Sequence, residues 1–276
     1  MSRHWFLTGA SSGIGRHLAE IILASGDDLT ATVRRPETLD DLAARYGDQL
    51  VVERLDVTVK GDIAPVVQRT EARRPVDVLV NNAGGGIIGA TEEFSDADIE
   101  GQISLNLLAP VHVTRAFIPA MRTRRAGRII QISSASGQGS LPTSSLYHAA
   151  KWGLEGFSEC LRQELEGFGV FVTLIEPGGA RTSFSRNLQY APANPAYQDT
   201  PAGQIRAMFE NAGDELYTLD PQKIAHRNFD TATSEKPPLR VALGGDAFGV
   251  IQAALKGRLS ALEAQESLAR SVAFDS

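Results

Sequence analysis

Tyr147 and Lys151 lie four positions apart in Tyr147-His148-Ala149-Ala150-Lys151, which opens a stretch of helical period. On a helix they share one face, a turn apart. A phenol, with its ordinary pKa of about 10, is a poor acid–base group at neutral pH. A nearby ammonium favours the phenolate and lowers that pKa, which suits proton transfer. Ser134 stands thirteen residues before Tyr147, just past the apolar run Arg128–Ile132. Its hydroxyl could donate to a substrate oxygen on which negative charge develops. A Tyr and a Lys one turn apart also describe an ordinary surface pair, so the pair takes its weight from what accompanies it.

The first accompaniment is Thr8-Gly9-Ala10-Ser11-Ser12-Gly13-Ile14-Gly15, set between the first apolar run and the first helical pattern. Gly9 would allow a tight turn, Gly13 a close backbone approach by a phosphate, and Gly15 close helix–strand packing. The helix would then offer free N–H groups and its positive dipole end to a pyrophosphate. On spacing alone a Gly/Ser-rich turn without ligand reads the same; its position between strand and helix points to a dinucleotide. At the end of the second strand, Val33 is followed by Arg34 and Arg35, with no carboxylate before Glu37. Such a site accommodates a 2′-phosphate, so NADP(H) is favoured over NAD(H). Asp56, before Val57 at the end of the third strand, could accept from an adenine amino group or cap the following helix. Asn81-Asn82-Ala83-Gly84 and the next two glycines would let backbone approach a cofactor, or simply form an irregular turn.

These groups need elements to position them. Short apolar runs at Trp5–Thr8, Leu29–Val33, Leu50–Leu55, Val76–Val80, Arg128–Ile132, Val170–Ile175 and Leu239–Leu243 read as strands. Helical patterns alternate with them, as in the stripe Ile14, Leu18, Ile21 and Ile22. The expected fold is therefore α/β: a doubly wound parallel sheet with helices on both faces. Arg181 to Thr218, with Pro192, Pro195 and Pro201, breaks the rhythm and is expected to be a binding loop or lid with a short helix. Phe184, Leu188, Tyr190, Met208 and Phe209 within it suggest an apolar substrate pocket. A helical tail is expected over about 247–276, whose Leu255, Leu259, Leu262 and Leu268 would pack on the sheet or on a partner subunit. Nothing suggests a second domain, so residues 1–276 are read as one.

Composition bounds the rest. The 276 residues carry 27 Lys+Arg against 33 Asp+Glu, a net charge of −6, which argues against a general nucleic-acid binder. Hydrophobic residues at 42% and charged ones at 22% fit a globular chain able to bury a sizeable core. The single Cys160 implies no disulfide framework and is expected to pack as a small apolar residue. His4, His17, His112, His148 and His226 show no metal-ligand spacing, so no metal is expected. His148, beside Tyr147, should point away from it, packed or solvated. Arg122, Arg124 and Arg125 read as a cationic helix end. No run approaches the roughly 20 apolar residues of a membrane span. Trp5 to Leu7 run straight into the glycine loop, which leaves no room for a signal peptide. A cytoplasmic protein is the simplest expectation.

In ordered company these motifs resemble the short-chain dehydrogenase/reductase family in its compact form. The residues that carry the likeness are the Thr8–Gly15 loop, Asn81–Gly84, Asn106, Ser134, Tyr147-x-x-x-Lys151 and Pro177-Gly178. The resemblance implies a Rossmann-type fold with seven parallel strands. It implies Tyr147 as general acid for reduction and Lys151 as the group that lowers its pKa and holds the nicotinamide ribose. Ser134 would polarise the carbonyl, and Asn106 would hold a water in a proton relay. Gly9, Ser11, Ser12, Gly13, Ile14, Arg34, Asp56, Val57, Asn82, Ala83, Gly84, Pro177, Gly178 and Thr182 would join Tyr147 and Lys151 in facing the cofactor. Ser12 stands where a basic residue would be a second sign of NADP(H), which leaves Arg34 as the main one. The expected activity is hydride transfer between NADP(H) and a small-molecule ketone, aldehyde or alcohol, by a homodimer or homotetramer. The rival readings are a dinucleotide-binding regulator without turnover and a methyltransferase. The second leaves the Tyr/Lys pair idle and expects an acidic residue near Val33.

Overall fold

The computed structural model describes residues 2–211 and 213–274; Ala212 of the expected loop and Asp275 and Ser276 of the expected tail lie outside them. In chain order the strands are β1 His4–Thr8, β2 Asp28–Val33, β3 Leu50–Arg54, β4 Val78–Asn81, β5 Ile87–Ile88, β6 Gly127–Ile132, β7 Val170–Pro177, β8 Gln189–Tyr190 and β9 Arg240–Leu243. The helices are α1 Gly13–Ala24, α2 Asp40–Tyr46, α3 Lys60–Arg73, α4 Asp96–Ile103, α5 Ala109–Arg124, α6 Ser145–Leu165, α7 Ser183–Arg186, α8 Pro201–Glu210, α9 Pro221–Thr233, α10 Gly245–Glu263 and α11 Glu266–Arg270.

Seven strands form one parallel sheet in the order β3-β2-β1-β4-β6-β7-β9. Each of the seven expected runs contributes one of them, with ends shifted by a residue or two. The order reverses between β1 and β4. Ligands of such sheets bind at that switch point, outside the carboxyl ends of the strands.

Adjacent residues of β1 show how the sheet is sandwiched. Trp5 points to one face and stacks on Phe229 of α9 at 5.3 Å, its Nε1 donating to Asp27. Phe6 points to the other face and meets Phe117 of α5 edge-on at 4.8 Å. All five β1 residues are buried, which is why the strand reads as a continuous apolar run. On the Trp5 side, Leu18 and Ile22 of α1 lie in the core, with Ile14 and Ile21 against it, as their spacing predicts. On the Phe6 side, Val66 of α3, Val113 of α5 and Leu161 of α6 close the second core.

Beyond the main sheet, β5 and β8 pair as a small parallel sheet, Ile87 with Gln189 and Ile88 with Tyr190. Gln189 N–H also donates to Gly86 O at 3.0 Å. This two-residue pairing ties the expected substrate loop to the end of the Asn81–Gly86 segment. Within that loop stand α7 and the ten-residue α8.

One expectation needs correction. Cys160 is exposed on α6 rather than packed, because it falls on the outer face of a helix whose buried face carries Leu154, Ser158 and Leu161. In the tail, α10 buries Ala247 and Ile251 and places Arg258 over Trp152, donating to Gln138 O at 2.6 Å. Leu255, Leu259, Leu262 and Leu268 are exposed on the single chain, so they do not pack on its own sheet. Among the described residues no helix is long and apolar enough to cross a membrane.

Candidate active site

Ser134 follows β6 and caps the short turn Ala135–Gly137, its Oγ accepting from Ser136 N–H at 3.1 Å. That leaves the hydroxyl proton to donate elsewhere. Tyr147 and Lys151 stand on the first turns of α6, on one face as their spacing requires. Lys151 is 5% exposed, and its Nζ donates to Ile132 O at the end of β6 at 2.8 Å. The ammonium lies 5.6 Å from the centre of the Tyr147 ring.

The electrostatics differ from the expectation that Lys151 lowers the tyrosine. Burial pushes the Tyr147 phenol up to about 12, with its hydrogen bond to Ser134 pulling the other way. Burial also brings Lys151 down to about 8, against the Glu155 carboxylate that favours its charge. Desolvation of the charged form outweighs the Ser134 hydrogen bond at Tyr147 and the Glu155 charge at Lys151. At neutral pH the phenol therefore keeps its proton, the form from which an acid donates.

Asn106 is 1% exposed in a π-helical turn, Ser104–Leu108, between α4 and α5. Its Nδ2 donates to Gly85 O at 3.0 Å and to Gln102 O at 3.3 Å, and its Oδ1 accepts from Gly85 N–H at 3.4 Å. The side chain is thus spent on the Gly84–Gly85 segment. Four residues on stands Pro110, which has no N–H to give the Asn106 carbonyl in an α-helical register. That proline was the one local signal for an irregular turn here.

The glycine loop lies at the carboxyl end of β1. Gly9 and Gly13 have φ of +69° and +56°, the left-handed region that favours glycine. A Cβ at Gly9 would strike Ala83 Cα at 2.8 Å, and one at Gly15 would strike Asn82 Nδ2 at 2.4 Å. At Gly13 the neighbour is Thr182 instead, 3.2 Å from such a Cβ, so this glycine answers to its own φ and to the far loop. Ser12 precedes α1 without a side-chain cap, and the first helical bond runs from Arg16 N–H to Ser12 O. Opening N–H groups of α1, among them those of Gly13 and Ile14, have no helical partner, which fits an anion. The exposed Ser11 flanks them.

Asn82 braces this loop, its Nδ2 donating to Thr8 O and Gly9 O, both at 3.0 Å. The N–H groups of Asn82 and Ala83 donate to Thr8 Oγ1. Gly84 lies exposed beside Asn106 Oδ1. Asp56 spends Oδ1 on an Asx turn, accepting from Thr58 N–H at 3.0 Å and from its hydroxyl at 2.7 Å, while α3 is preceded by Val59 instead. These bonds, helped by Arg34, hold the carboxyl below its ordinary range. Val57 is buried, so only its backbone is available to a ligand. Arg34 is exposed and makes no ion pair among the described residues, unlike Arg16, which binds Glu20 and Asp41.

Pro177 ends β7, and Gly178 N–H donates to Leu243 O at 3.0 Å. Thr182 caps α7, accepting from Phe184 N–H at 3.1 Å, and Ser183 donates to Ser12 at 2.8 Å, which brings this loop onto the glycine loop. Phe184 then faces Tyr147 at 5.8 Å between ring centres, and Phe184 and Leu188 crowd the space above Gly86. Met208 and Phe209 lie further along, on α8.

Two neighbours have roles that the sequence did not show. His148 does point away from Tyr147, but it is a brace: Nε2 accepts from Leu141 N–H at 3.0 Å, so Nδ1 carries the proton and donates to Ser136 O at 2.8 Å. Glu155, one turn beyond Lys151, is 5% exposed and accepts from Ser133. The Lys151-to-Glu155 spacing was visible; that it is buried was not.

The site therefore sets a protonated phenol, a hydroxyl and an ammonium near the uncapped start of α1, at the switch point of a parallel sheet. The family model of short chain dehydrogenases matches residues 3–192. The chain belongs to the short-chain dehydrogenase/reductase family. It is 35% identical over 250 residues to oxidoreductase BOA17 of Botryotinia fuckeliana, covering 90% of each chain. A short-chain dehydrogenase from Streptomyces avermitilis superposes with a TM-score of 0.91 at 37% identity, over 99% of this chain and 98% of that one. The closed form of a serine dehydrogenase complexed with NADP+ is 30% identical with a TM-score of 0.72, over 87% and 93%. Oxidoreductase membership of this family is thus shown by sequence and fold together.

Proposed function

We propose that this family member is an NADP(H)-dependent oxidoreductase that reduces a ketone or aldehyde, reversibly, with Tyr147, Ser134, Lys151 and Asn106 as its site. The observation that carries the reading is the convergence of a proton-bearing Tyr147, Ser134 and Lys151 beside the uncapped start of α1. The bound cofactor supplies the hydride in reduction and accepts it in oxidation.

The remaining work falls to the chain. Gly9, Ser11, Ser12, Gly13 and Ile14 present the loop and helix end to the pyrophosphate. Arg34 binds the 2′-phosphate, and Asp56 with its free Oδ2 and the Val57 backbone bound the adenine. Asn82, Ala83 and Gly84 line the cleft floor, with Pro177, Gly178 and Thr182 opposite. Ser134 hydrogen-bonds through its hydroxyl to the substrate oxygen, keeping its own proton, and stabilises the charge developing there. Tyr147 then gives that oxygen its proton. Lys151, anchored by one N–H to Ile132 O, directs its others toward the ribose and the phenol. Because the Asn106 side chain is spent, the carbonyl of its π turn is what it offers to a water.

Phe184 and Leu188 make the substrate side apolar, which favours a hydrophobic carbonyl compound. One nucleotide-binding unit spans the chain, with residues 181–218 as substrate loop and 247–276 as an appended tail. The deciding experiment is NADPH oxidation across a panel of ketones, aldehydes and steroid-like carbonyls. NADPH-dependent turnover that exceeds NADH-dependent turnover in kcat/KM supports the reading. Stabilisation by NADPH without turnover across the panel would instead favour a dinucleotide-binding regulator.

A further inference from the structure

Behind Lys151 and Ser134 lies a second set of ionisable groups with no role in the proposed chemistry. Glu155 on α6 and Glu176 on β7 are buried, their side chains 6% and 2% exposed. Arg240 of β9 reaches both: Nε donates to Glu155 Oε2 at 2.9 Å and lies 3.6 Å from Glu176 Oε1. Its other arm donates to Glu159 at 2.8 Å. The other Glu155 oxygen, and the same Glu176 oxygen, face the segment that carries Ser134. Ser133 donates to Glu155 Oε1, and Gln138 donates to Glu176 Oε1 at 2.6 Å. Gly137 lies so close that a Cβ there would meet Glu155 Cγ at 2.8 Å.

We infer that Glu155 and Glu176 form one proton-sharing carboxyl pair, clamped by Arg240, that positions the Ser133–Gln138 segment and holds the charge on Lys151. Two adjacent buried carboxylates cannot both ionise at modest cost. The charged groups acting on Glu176 are Glu155 from α6 and Arg240 from β9; Lys151 stands next to Glu155 and Glu159 next to Arg240, with Asp246 of α10 bonded to Gly179 beyond the strand. Lys151 and Arg240 balance Glu155 and Glu159, so the cluster is neutral only while Glu176 keeps its proton. Burial and the Glu155 charge accordingly push Glu176 up to about 7, and the two carboxyl groups interact directly. The negative charge the pair carries, reaching Lys151 through Glu155, also favours the protonated form of Lys151. Both glutamates are positioning residues: neither touches substrate or cofactor.

The sign of the pH effect follows. The folded chain holds this proton more tightly than the unfolded chain, so the pair's contribution is full below the ordinary carboxylate range. It drains as pH rises and is gone above about 7.

The proposal depends on the oxidoreductase reading only for what the positioned residues go on to do, and its principal test needs no substrate. Infrared titration of the intact protein in H2O and D2O should show a protonated carboxyl band at pH 6 that disappears with a midpoint near 7. Glu176→Gln should abolish that band, and its Tm should fall less between pH 5 and 7 than the wild type's. A wild-type chain with no such band at pH 6 overturns the proposal, and so does a band that survives in Glu176→Gln. Parallel Tm curves overturn it as well. If Glu176→Gln does not fold, the wild-type titration still decides. With a substrate in hand, Glu155→Gln should lower kcat about tenfold and move the alkaline limb of its pH profile to lower pH, with partial rescue by Glu155→Asp. An unmoved profile would overturn the Lys151 half of the proposal. Absence of turnover with every carbonyl would count against the oxidoreductase reading alone.

Discussion

Around Thr8 and Asn82 the polar atoms are committed to one another: Thr8 Oγ1 accepts two N–H groups, and Asn82 Nδ2 spans two carbonyls. Between Arg181 and Thr218, by contrast, only Thr182 and Ala191 are buried among the described residues. That loop is held at a few points: the β5–β8 pairing, the Ser183–Ser12 contact, and Arg206. The last pairs with Glu93, whose other oxygen accepts from Asn194 N–H. In the function proposed, the first region is a nucleotide cradle, which must keep its shape to within fractions of an ångström and so is braced from all sides. The second is a substrate loop, which needs only to be brought near and can vary in what it presents.

The comparison can be tested at its most rigid point first. Tyr147→Phe should reduce kcat about a thousandfold while NADPH-induced stabilisation and Tm are retained. Retained turnover would remove Tyr147 as the acid. Gly9→Ala must accept a left-handed φ and a contact with Ala83, and should cost about 2–4 kcal/mol in denaturant titration. A loss below about 0.5 kcal/mol would show the cradle to be looser than its bonding.

Reduction should also fall as pH rises through about 8, where Lys151 loses its proton; stopped-flow rates from pH 6 to 9.5 would display the limb. Arg34→Ala should raise KM for NADPH about tenfold and leave KM for NADH unchanged. Equal effects on both would end the 2′-phosphate assignment. On the loose side the expected effects are smaller. Phe184→Ala should shift relative kcat/KM among apolar substrates by about 10-fold or less, and the exposed Leu259→Ser should alter stability by no more than about 0.5 kcal/mol.

Legibility followed the same division. The inner strands of the main sheet were readable because strands buried on both faces must be continuous apolar runs, and the half-buried edge strands β3 and β9 were short apolar runs as well. The α1 stripe was readable because one face of a helix must be apolar. The β5–β8 pairing was not, since two-residue strands have no period to detect. Asn106 was recognisable only through family likeness, although Pro110 explains in hindsight why its turn departs from the α register. Cys160 was misjudged because composition cannot tell which face of a helix its neighbours will cover.

The sequence by itself determined the alternation of strands and helices, the Thr8–Gly15 loop, and the one-turn spacing of Tyr147 and Lys151. Those are local matters of φ preference and helical period, decided within a few residues. Tertiary structure alone decided that Ser134 would meet Tyr147 and that burial would set the phenol's proton. It also decided that Glu176, 21 residues beyond Glu155, would share its surroundings with Arg240. Such outcomes turn on desolvation and on charges brought together from distant parts of the chain, and neither quantity exists until the sheet and helices have packed.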